Sequence, residues 1–344
     1  MAVWLNRAGA HGEYETKFIQ EKRIYCTWDK VNKNLSTIPN REALLTSLQQ
    51  SYPDAKAATL KNWLHQIWPF ANEMKKGDLV ILPLKLQPGI TIGEIAGDYH
   101  FEPHGPEPYF HWRPVNWIAE AVPRANFGTD LLFTFGAFLT ICRIQRNNAE
   151  ARLSSMRTAG WSPESLSSVV QATSDRPEPE EAAETDVEQI GLDQIAQLIS
   201  ARFKGHGLAR LVDAVLRAEG YTTHLSPEGP DGGVDILAGA GPLGFGRPRL
   251  CVQVKSEDGP IDRPTIDRLI GAVSKYNADE GLFVSWSGFK TSVRRDLAGS
   301  FFRVRLWSQN DLLDRIFLLY DKLDDQLKAE LPLKRVWTVA TTDQ

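Results

Sequence analysis

The sequence predicts an α/β protein of two domains: a small N-terminal α+β barrel and a C-terminal central mixed sheet flanked by helices. Two observations lead to this fold class. The chain has 344 residues, more than one hydrophobic core usually organises. An acidic stretch that contains prolines also separates a strand-rich first half from a second half in which strands come to alternate with helices.

Composition and hydropathy argue against a membrane-spanning or secreted protein. Hydrophobic residues make up 42% and charged residues 24% of the chain, as in soluble globular proteins. The apolar run at 131–144 is shorter than the roughly 20 residues that cross a bilayer. Residues 1–10 lack the basic start of a signal peptide. We therefore expect a cytoplasmic protein with no membrane partner.

Cysteine spacing and net charge say less about the class of protein than composition and hydropathy do. Cys26, Cys142 and Cys251 are widely spaced and odd in number, which predicts neither a disulfide framework nor a zinc site. The net charge of −4 does not favour a nucleic-acid partner, but acidic residues concentrated at 175–188 hide a more basic remainder. The charge therefore neither favours nor excludes DNA binding.

The acidic stretch sets the predicted domain boundaries. We expect a first domain at 1–153, a linker at 154–189 and a second domain at 190–344. Pro177 and Pro179 favour an extended start to the acidic run. A solvent-exposed helix face is the alternative, because Glu and Ala are good helix formers.

Each predicted element follows from the spacing of apolar residues. In the first domain, β-rich runs accompany a helical stretch at 40–66; they lie at 2–5, 23–28, 78–82 and 91–95. The second domain begins with two helices within 190–217, broken near Gly205 and ended by Gly220. Its later strands are expected at 222–225, 234–238, 250–254, 281–286 and 303–307, and its later helices at 263–275, 291–297 and 310–323.

Two of these strands carry side chains suited to phosphodiester hydrolysis. Such chemistry needs hard oxygen ligands for a divalent cation and a positive group near the phosphate. Asp235 opens one strand after Gly232 and Gly233, where the backbone can bend. Gln253 and Lys255 share one face of the next strand, because side chains alternate along a strand. The pattern predicts a polar site at the junction of the two strands.

At these residues the sequence resembles a known family. The order is a helix, a Gly-Tyr pair, the segment Asp-Gly-Gly-Val-Asp-Ile at 231–236, a hairpin, Gln-Val-Lys at 253–255, and a helix. It resembles the Mrr branch of the PD-(D/E)XK nucleases over roughly residues 205–320. The resemblance implies that Asp235 and Gln253 bind Mg²⁺ or Mn²⁺, together with the backbone carbonyl of Val254. It also implies that Lys255 is the catalytic lysine.

Two departures from the family pattern bear on the metal. Gln253 is neutral where the wider superfamily has a carboxylate, although Gln is usual within the Mrr branch, and its neutrality predicts weak metal affinity. Ala209 stands where a helix Glu is frequent in this branch, and His206, one turn earlier, is either a water-mediated substitute or a capping residue. Asp231 fits a turn first, in Pro-Asp-Gly, and a supporting metal ligand second.

A later helix start is a candidate DNA contact. Lys290, Arg294 and Arg295 are placed to contact phosphates, with backbone donors of the helix N-terminus beside them. Solvated surface cations explain the same residues equally well.

The first domain holds most of the tryptophans, and its core explains the majority of them. Its order of motifs at 24–29, 76–81, 92–95 and 111–117 resembles the PUA-like superfamily, which includes EVE and YTH domains. That resemblance implies an aromatic pocket for a modified base. The candidate pocket residues are Trp28, Asp29, Asn34, Tyr99, His111 and Trp112.

Together, the two resemblances imply a modification-dependent restriction endonuclease that acts on double-stranded DNA. Because one active site cuts one strand, we expect a homodimer, at least on DNA. Two alternatives remain open: a non-cleaving nucleic-acid reader with a degenerate nuclease domain, and a defence nuclease gated by a messenger or a partner.

Overall fold

A computed structural model describes residues 1–86, 89–136, 139–164, 187–228, 233–256, 259–290, 292–293 and 297–337. The chain divides into two compact units, Met1–Gly191 and Leu192–Val339. None of the described helices is long and apolar enough to cross a membrane. The described part is mixed α/β, as predicted.

The first unit is built on a seven-stranded, largely antiparallel sheet with the order β2-β6-β4-β3-β1-β7, and β5 pairs with β6. Its strands are β1 Val3–Asn6, β2 Arg23–Cys26, β3 Leu79–Pro83, β4 Ile90–Ile95, β5 His100–Phe101, β6 His111–Val122 and β7 Ile141–Ile144. Its helices are α1 Glu15–Glu21, α2 Arg41–Ser51, α3 Ala57–Asn72, α4 Thr129–Phe135 and α5 Ala149–Thr158. β1 and β3 are the parallel pair.

The sheet of the first unit is buried on both faces. Val3 and Leu5 pack into the core that holds α4 and α5, whereas Trp4 packs into the core that holds α2 and α3. Side chains alternate across a strand, so two covered faces require apolar runs such as residues 3–5 of β1 and residues 79–83 of β3.

The predicted helical stretch at 40–66 is two helices, and the second continues to Asn72. The break follows from Pro53. A proline has no backbone N–H and disfavours the helical conformation of the residue before it, and α2 accordingly ends at Ser51 with Tyr52 as its cap. The predicted domain boundary at residue 153 falls inside α5, and the boundaries remain a prediction.

A buried arginine ties α5 to the rest of the first unit. The Arg152 side chain is 3% exposed and pairs with the carboxylates of Asp130 and Glu164. Arg152→Met should destabilise this unit by about 3 kcal/mol, because Glu164 would keep a buried charge without its cation.

Urea unfolding followed by tryptophan fluorescence measures this loss, since seven of the ten tryptophans lie in the first unit. Arg157→Met is the matched control in the same helix. Its exposed pair with Glu94 should contribute less than about 1 kcal/mol. Equal effects of the two substitutions would contradict the role given to Arg152.

The second unit has a five-stranded mixed sheet with the order β12-β11-β10-β9-β8. Its strands are β8 Tyr221–Leu225, β9 Ile236–Ala240, β10 Gly246–Lys255, β11 Glu280–Ser285 and β12 Val304–Trp307. Its helices are α6 Val187–Arg202, which starts just before the unit, α7 His206–Ala218, α8 Arg263–Lys275, α9 Gln309–Leu319 and α10 Asp325–Glu330. β8, β9 and β10 are antiparallel neighbours, and β10, β11 and β12 are parallel.

Helices cover both faces of this sheet, as predicted. α7 and α9 pack on one face around Val252 and Val254, and α8 packs on the other around Cys251 and Phe283. α8 has the predicted bounds, and Asp262 caps its first turn by accepting from Thr265 N. The helix predicted at 291–297 lies mostly outside the described residues.

Candidate active site

The candidate site lies where β9 begins and β10 ends. Asp235 immediately precedes β9. The last paired residues of β9 and β10 are Ile236 and Val252, and continuing the pairing by one residue places Asp235 opposite Gln253. Asp235 N donates to the Val252 carbonyl at 2.9 Å, and its Oδ2 accepts from Val254 N at 2.7 Å. The carboxylate is therefore held against the strand that carries Gln253 and Lys255.

Gln253 combines deep burial with an unsatisfied oxygen. The residue is 8% exposed, and it lies beside Phe283 of β11 in the ladder. Its Oε1 is buried and accepts no hydrogen bond from the described residues. A buried carbonyl oxygen without a donor costs about 1–3 kcal/mol, so this arrangement requires an explanation.

A divalent cation is the group that this oxygen fits. Amide and carboxylate oxygens are hard ligands of the kind that Mg²⁺ takes, with water filling its remaining positions. Within the described ranges, no three His, Cys, Asp or Glu residues form a cluster that could hold a metal. A metal here would therefore rely on the carboxylate of Asp235, the amide of Gln253, backbone carbonyls such as that of Val254, and water.

Lys255 is the last residue of β10 and lies on the same face of the strand as Gln253. Its carbonyl accepts from Trp286 N at 2.9 Å, which fixes the end of β10 against the end of β11. The half-buried side chain is thus carried by a rigid, hydrogen-bonded strand end beside Gln253.

The structure describes one of the two residues predicted to support the site, His206, and not the other, Asp231. His206 is the first residue of α7, and its Nε2 lies 2.9 Å from the carbonyl of Ser226, the residue that follows β8. Its Nδ1 lies 3.8 Å from Oε1 of Glu228. Asp231 lies outside the described residues. Ala209 is buried in the core, where it offers no ligand.

Of the predicted DNA contacts, only Lys290 is described. It is exposed, and its backbone N–H donates to the Ile261 carbonyl at 3.0 Å. Arg294 and Arg295 lie outside the described residues, and the DNA-contact assignment stays a prediction.

The structure places the candidate base-pocket residues in the first unit in three different settings. Trp28 is 9% exposed and belongs to the core. Asp29 accepts from the Tyr52 hydroxyl at 2.7 Å, and Asn34 accepts from Ser36 N at 3.1 Å. Asn34 therefore holds a local turn, whereas Asp29 is bonded to Tyr52 at the end of α2.

Tyr99 and His111 form a partly buried chain of hydrogen bonds. The Tyr99 hydroxyl lies 2.7 Å from Nδ1 of His111, and Nε2 of His111 lies 2.5 Å from the Val31 carbonyl. Burial lowers the pKa of His111 to about 4, so its ring is neutral at neutral pH. Phe101 stacks on this ring, and the two ring centroids are 5.3 Å apart.

Trp112 has a more open setting. Its ring stacks on the His100 ring, with 4.1 Å between the ring centroids. The Arg23 guanidinium lies 3.8 Å from the centroid of the Trp112 ring. Of the candidate pocket residues, the structure brings together Tyr99 and His111, and the pocket assignment remains a prediction.

The sequence did not indicate two serines that lie beside the candidate site. Ser226 N donates to the Asp235 carbonyl at 2.8 Å, and Ser256 Oγ accepts from Gly205 N at 3.0 Å. Each serine directly follows a strand, β8 or β10. That position was their only signal, and polar residues follow many strands for no functional reason.

Gln253→Met provides a test of the metal interpretation. Removing an unsatisfied buried carbonyl should leave stability unchanged or raise it by about 1 kcal/mol. The same change should weaken metal binding by at least the roughly 10-fold that follows when a residue that only orients a ligand is replaced. Calorimetric unfolding and a metal titration measure the two effects.

Gln66→Met is the matched control, because Gln66 is equally buried but its Oε1 accepts from Thr140 N and Ile141 N. It should destabilise the chain by about 2 kcal/mol. A Gln253→Met protein with lowered stability and unchanged metal binding would contradict a ligand role.

Comparisons with known proteins support the assignment of the second unit. Residues 200–316 match the Mrr_cat family model, described as a restriction endonuclease, and residues 3–130 match DUF8426, a domain of unknown function. No curated protein matches the chain. The resemblance predicted for the second unit is thereby confirmed, and the PUA-like one remains a prediction.

Two solved structures show weak overall similarity. One is described as the DNA modification-dependent restriction endonuclease AspBHI, with 15% identity and a TM-score of 0.34, over 74% of this chain and 67% of that one. The other is the MspJI restriction endonuclease in complex with a 27-mer oligonucleotide, with 12% identity and a TM-score of 0.31, over 94% and 71%. The sequence match carries the assignment: residues 200–316 form a restriction endonuclease domain of the Mrr_cat family.

Proposed function

We propose that the chain is a metal-dependent endonuclease that hydrolyses phosphodiester bonds of double-stranded DNA, and that its first unit selects DNA carrying a modified base. One observation carries the catalytic part. Within the segment that matches a restriction endonuclease, Asp235 lies against Gln253, whose buried Oε1 has no described donor, and Lys255 ends the same strand.

Asp235 and Gln253 would hold Mg²⁺ or Mn²⁺, with the Val254 carbonyl as a third protein oxygen. When bound, the cation offsets the negative charge that develops on the scissile phosphate. The neutral amide of Gln253 adds no charge to the site. Metal affinity should therefore be lower than at a site with two carboxylates, because each anionic ligand strengthens cation binding.

Lys255 would act on the phosphate and the attacking water. Its ammonium offers three donors, and Lys255 lies on the strand face that carries Gln253. It would donate to a non-bridging phosphate oxygen and orient the water for attack. Donors fixed before the reaction stabilise the transition state without reorganising.

The role of the first unit rests on separate support. A nuclease without a selector would cut the DNA of its own cell. The unit exposes part of the stacked group formed by Arg23, His100 and Trp112, and aromatic rings can stack on bases. Since each chain carries one candidate site, we propose that two copies act together to cut both strands.

The test uses the full chain and DNA duplexes that contain cytosine, 5-methylcytosine, 5-hydroxymethylcytosine or its glucosylated form, with Mg²⁺ or Mn²⁺. The proposal predicts cleavage of at least one modified duplex and none of the unmodified one. Equal cleavage of all four would contradict selection by modification. Tight binding without cleavage of any duplex would favour a reader, and cleavage only after addition of nucleotides or cell extract would favour a gated nuclease.

A further inference from the structure

We propose that Ser226, held in place by His206, is a positioning residue that fixes the Asp235 carboxylate for metal binding. This inference rests on the proposed function. Ser226 bonds to the backbone carbonyls of Asp235 and Val234, and through them it acts on the Asp235 carboxylate.

Ser226 makes two hydrogen bonds to the segment that carries Asp235. Its backbone N–H donates to the Asp235 carbonyl at 2.8 Å, and its hydroxyl donates to the Val234 carbonyl at 2.8 Å. The first bond extends the antiparallel ladder, whose last pair is Leu225 with Ile236. The second lies beyond the ladder and depends on the side chain.

These two bonds hold the segment before β9, which carries Asp235. Gly233, with φ of 87°, precedes Val234 in a left-handed conformation, and the regular strand β9 begins only at Ile236. Asp235 is held on its other side by its N–H bond to Val252 and by the bond from Val254 N to Oδ2. Ser226 therefore bonds to Asp235 from the end of β8, and Val252 and Val254 bond to it from β10.

His206 in turn holds Ser226. Its Nε2 lies 2.9 Å from the Ser226 carbonyl, and because a carbonyl only accepts, the ring must carry its proton on Nε2. The start of α7 is anchored a second time, since Gly205 N donates to Oγ of Ser256, directly after Lys255. The first turn of α7 thus connects the ends of β8 and β10, on either side of Asp235.

Loss of the Ser226 hydroxyl should loosen the position of the Asp235 carboxylate without removing any ligand. Outer residues that orient metal ligands typically change metal affinity or activity by roughly 10- to 100-fold when they are replaced. We expect Ser226→Ala to raise the dissociation constant for Mn²⁺ by roughly 10-fold. Ser226→Thr keeps a hydroxyl and should restore most of the affinity.

The measurement is calorimetric titration of the full chain with Mn²⁺ in the absence of DNA, beside the thermal unfolding temperature. Thr222→Ala is the matched control, because Thr222 lies on β8 and its Oγ1 donates to the Gly241 carbonyl at 2.8 Å, at the other end of the hairpin. It removes the same kind of bond and should leave Mn²⁺ affinity unchanged. His206→Ala should weaken Mn²⁺ binding in the same direction as Ser226→Ala, and His206→Gln, which keeps a side-chain donor, should weaken it less.

Wild-type affinity in Ser226→Ala would overturn the proposal, as would an equal loss of affinity in Thr222→Ala. A loss that Ser226→Thr does not restore would also overturn it, because that result assigns the effect to packing. Failure of the proposed function is recognised separately. In that case the unaltered chain binds no Mn²⁺, or Asp235→Asn binds it as tightly as the unaltered chain does.

Discussion

Asp235→Asn should reduce metal-dependent DNA cleavage by at least about 1,000-fold, because a metal ion contributes several kcal/mol of transition-state stabilisation that depends on its anchoring carboxylate. The substitution keeps the size of the side chain and an oxygen that can accept from Val254 N. It removes the negative charge. The fold should therefore survive while metal binding is lost.

Single-turnover cleavage of a duplex across a range of Mg²⁺ concentrations measures this effect. Asp279→Asn is the matched control: its carboxylate lies just before β11, at the opposite end of the sheet, where it accepts from Arg249 N. The control should cleave at the rate of the unaltered chain. A chain with Asp235→Asn that still cleaves at full rate would remove Asp235 from the catalytic site.

Lys255→Met should lower the cleavage rate by roughly 100- to 1,000-fold, the range found when one preorganised donor is removed from an active site. Methionine keeps most of the apolar stem and removes the ammonium. Because Lys255 is not a proposed metal ligand, the Mg²⁺ concentration at half-maximal rate should stay close to that of the unaltered chain. This distinguishes it from Asp235→Asn, for which metal binding itself is lost.

The control for this charge is Lys275→Met, at the end of α8, where the ammonium lies over the Tyr276 ring. It removes the same charge from the same unit and should leave the rate unchanged. A Lys255→Met protein that cleaves normally, or one that fails only through loss of Mn²⁺ binding, would contradict the role given to Lys255.

The second unit was predictable where local signals decide structure. α8 keeps its predicted bounds because Asp262 caps its start and Asn277, with φ of 51°, follows its end in a left-handed conformation. β9 was less predictable. It begins at Ile236 rather than at 234, because Val234 and Asp235 bond to Ser226 in a bend that comes before the strand.

The first unit shows why the remainder could not be predicted from local pattern. β6 extends to 12 residues and pairs with β2, β4 and β5, with register shifts against β4 that depend on the neighbouring strands. Aromatic residues have the same pattern in a core and in a pocket. Only the fold shows that Tyr99 and His111 bond to each other.

Parts of the candidate site were likewise predictable from local pattern, and other parts were not. The sequence placed Gln253 and Lys255 on one face, since alternation along a strand is a local property. The unsatisfied Oε1 of Gln253 and the bonds from Ser226 arise from contacts between distant segments. No spacing in the sequence signals either of them.

Mn²⁺ binding and DNA cleavage, measured on the same preparations after removal of metal with a chelator, test whether Asp235, Gln253 and Lys255 form one metal-dependent site. The preparations are the unaltered chain, Asp235→Asn, Gln253→Met and Lys255→Met. One metal-dependent site predicts that the unaltered chain regains cleavage when Mg²⁺ or Mn²⁺ is restored and that Asp235→Asn loses both binding and cleavage. It also predicts that Gln253→Met binds Mn²⁺ weakly, and that Lys255→Met binds Mn²⁺ as the unaltered chain does but cleaves roughly 100- to 1,000-fold more slowly. Cleavage that persists in the chelator, or Mn²⁺ binding unaffected by Asp235→Asn, would contradict the account.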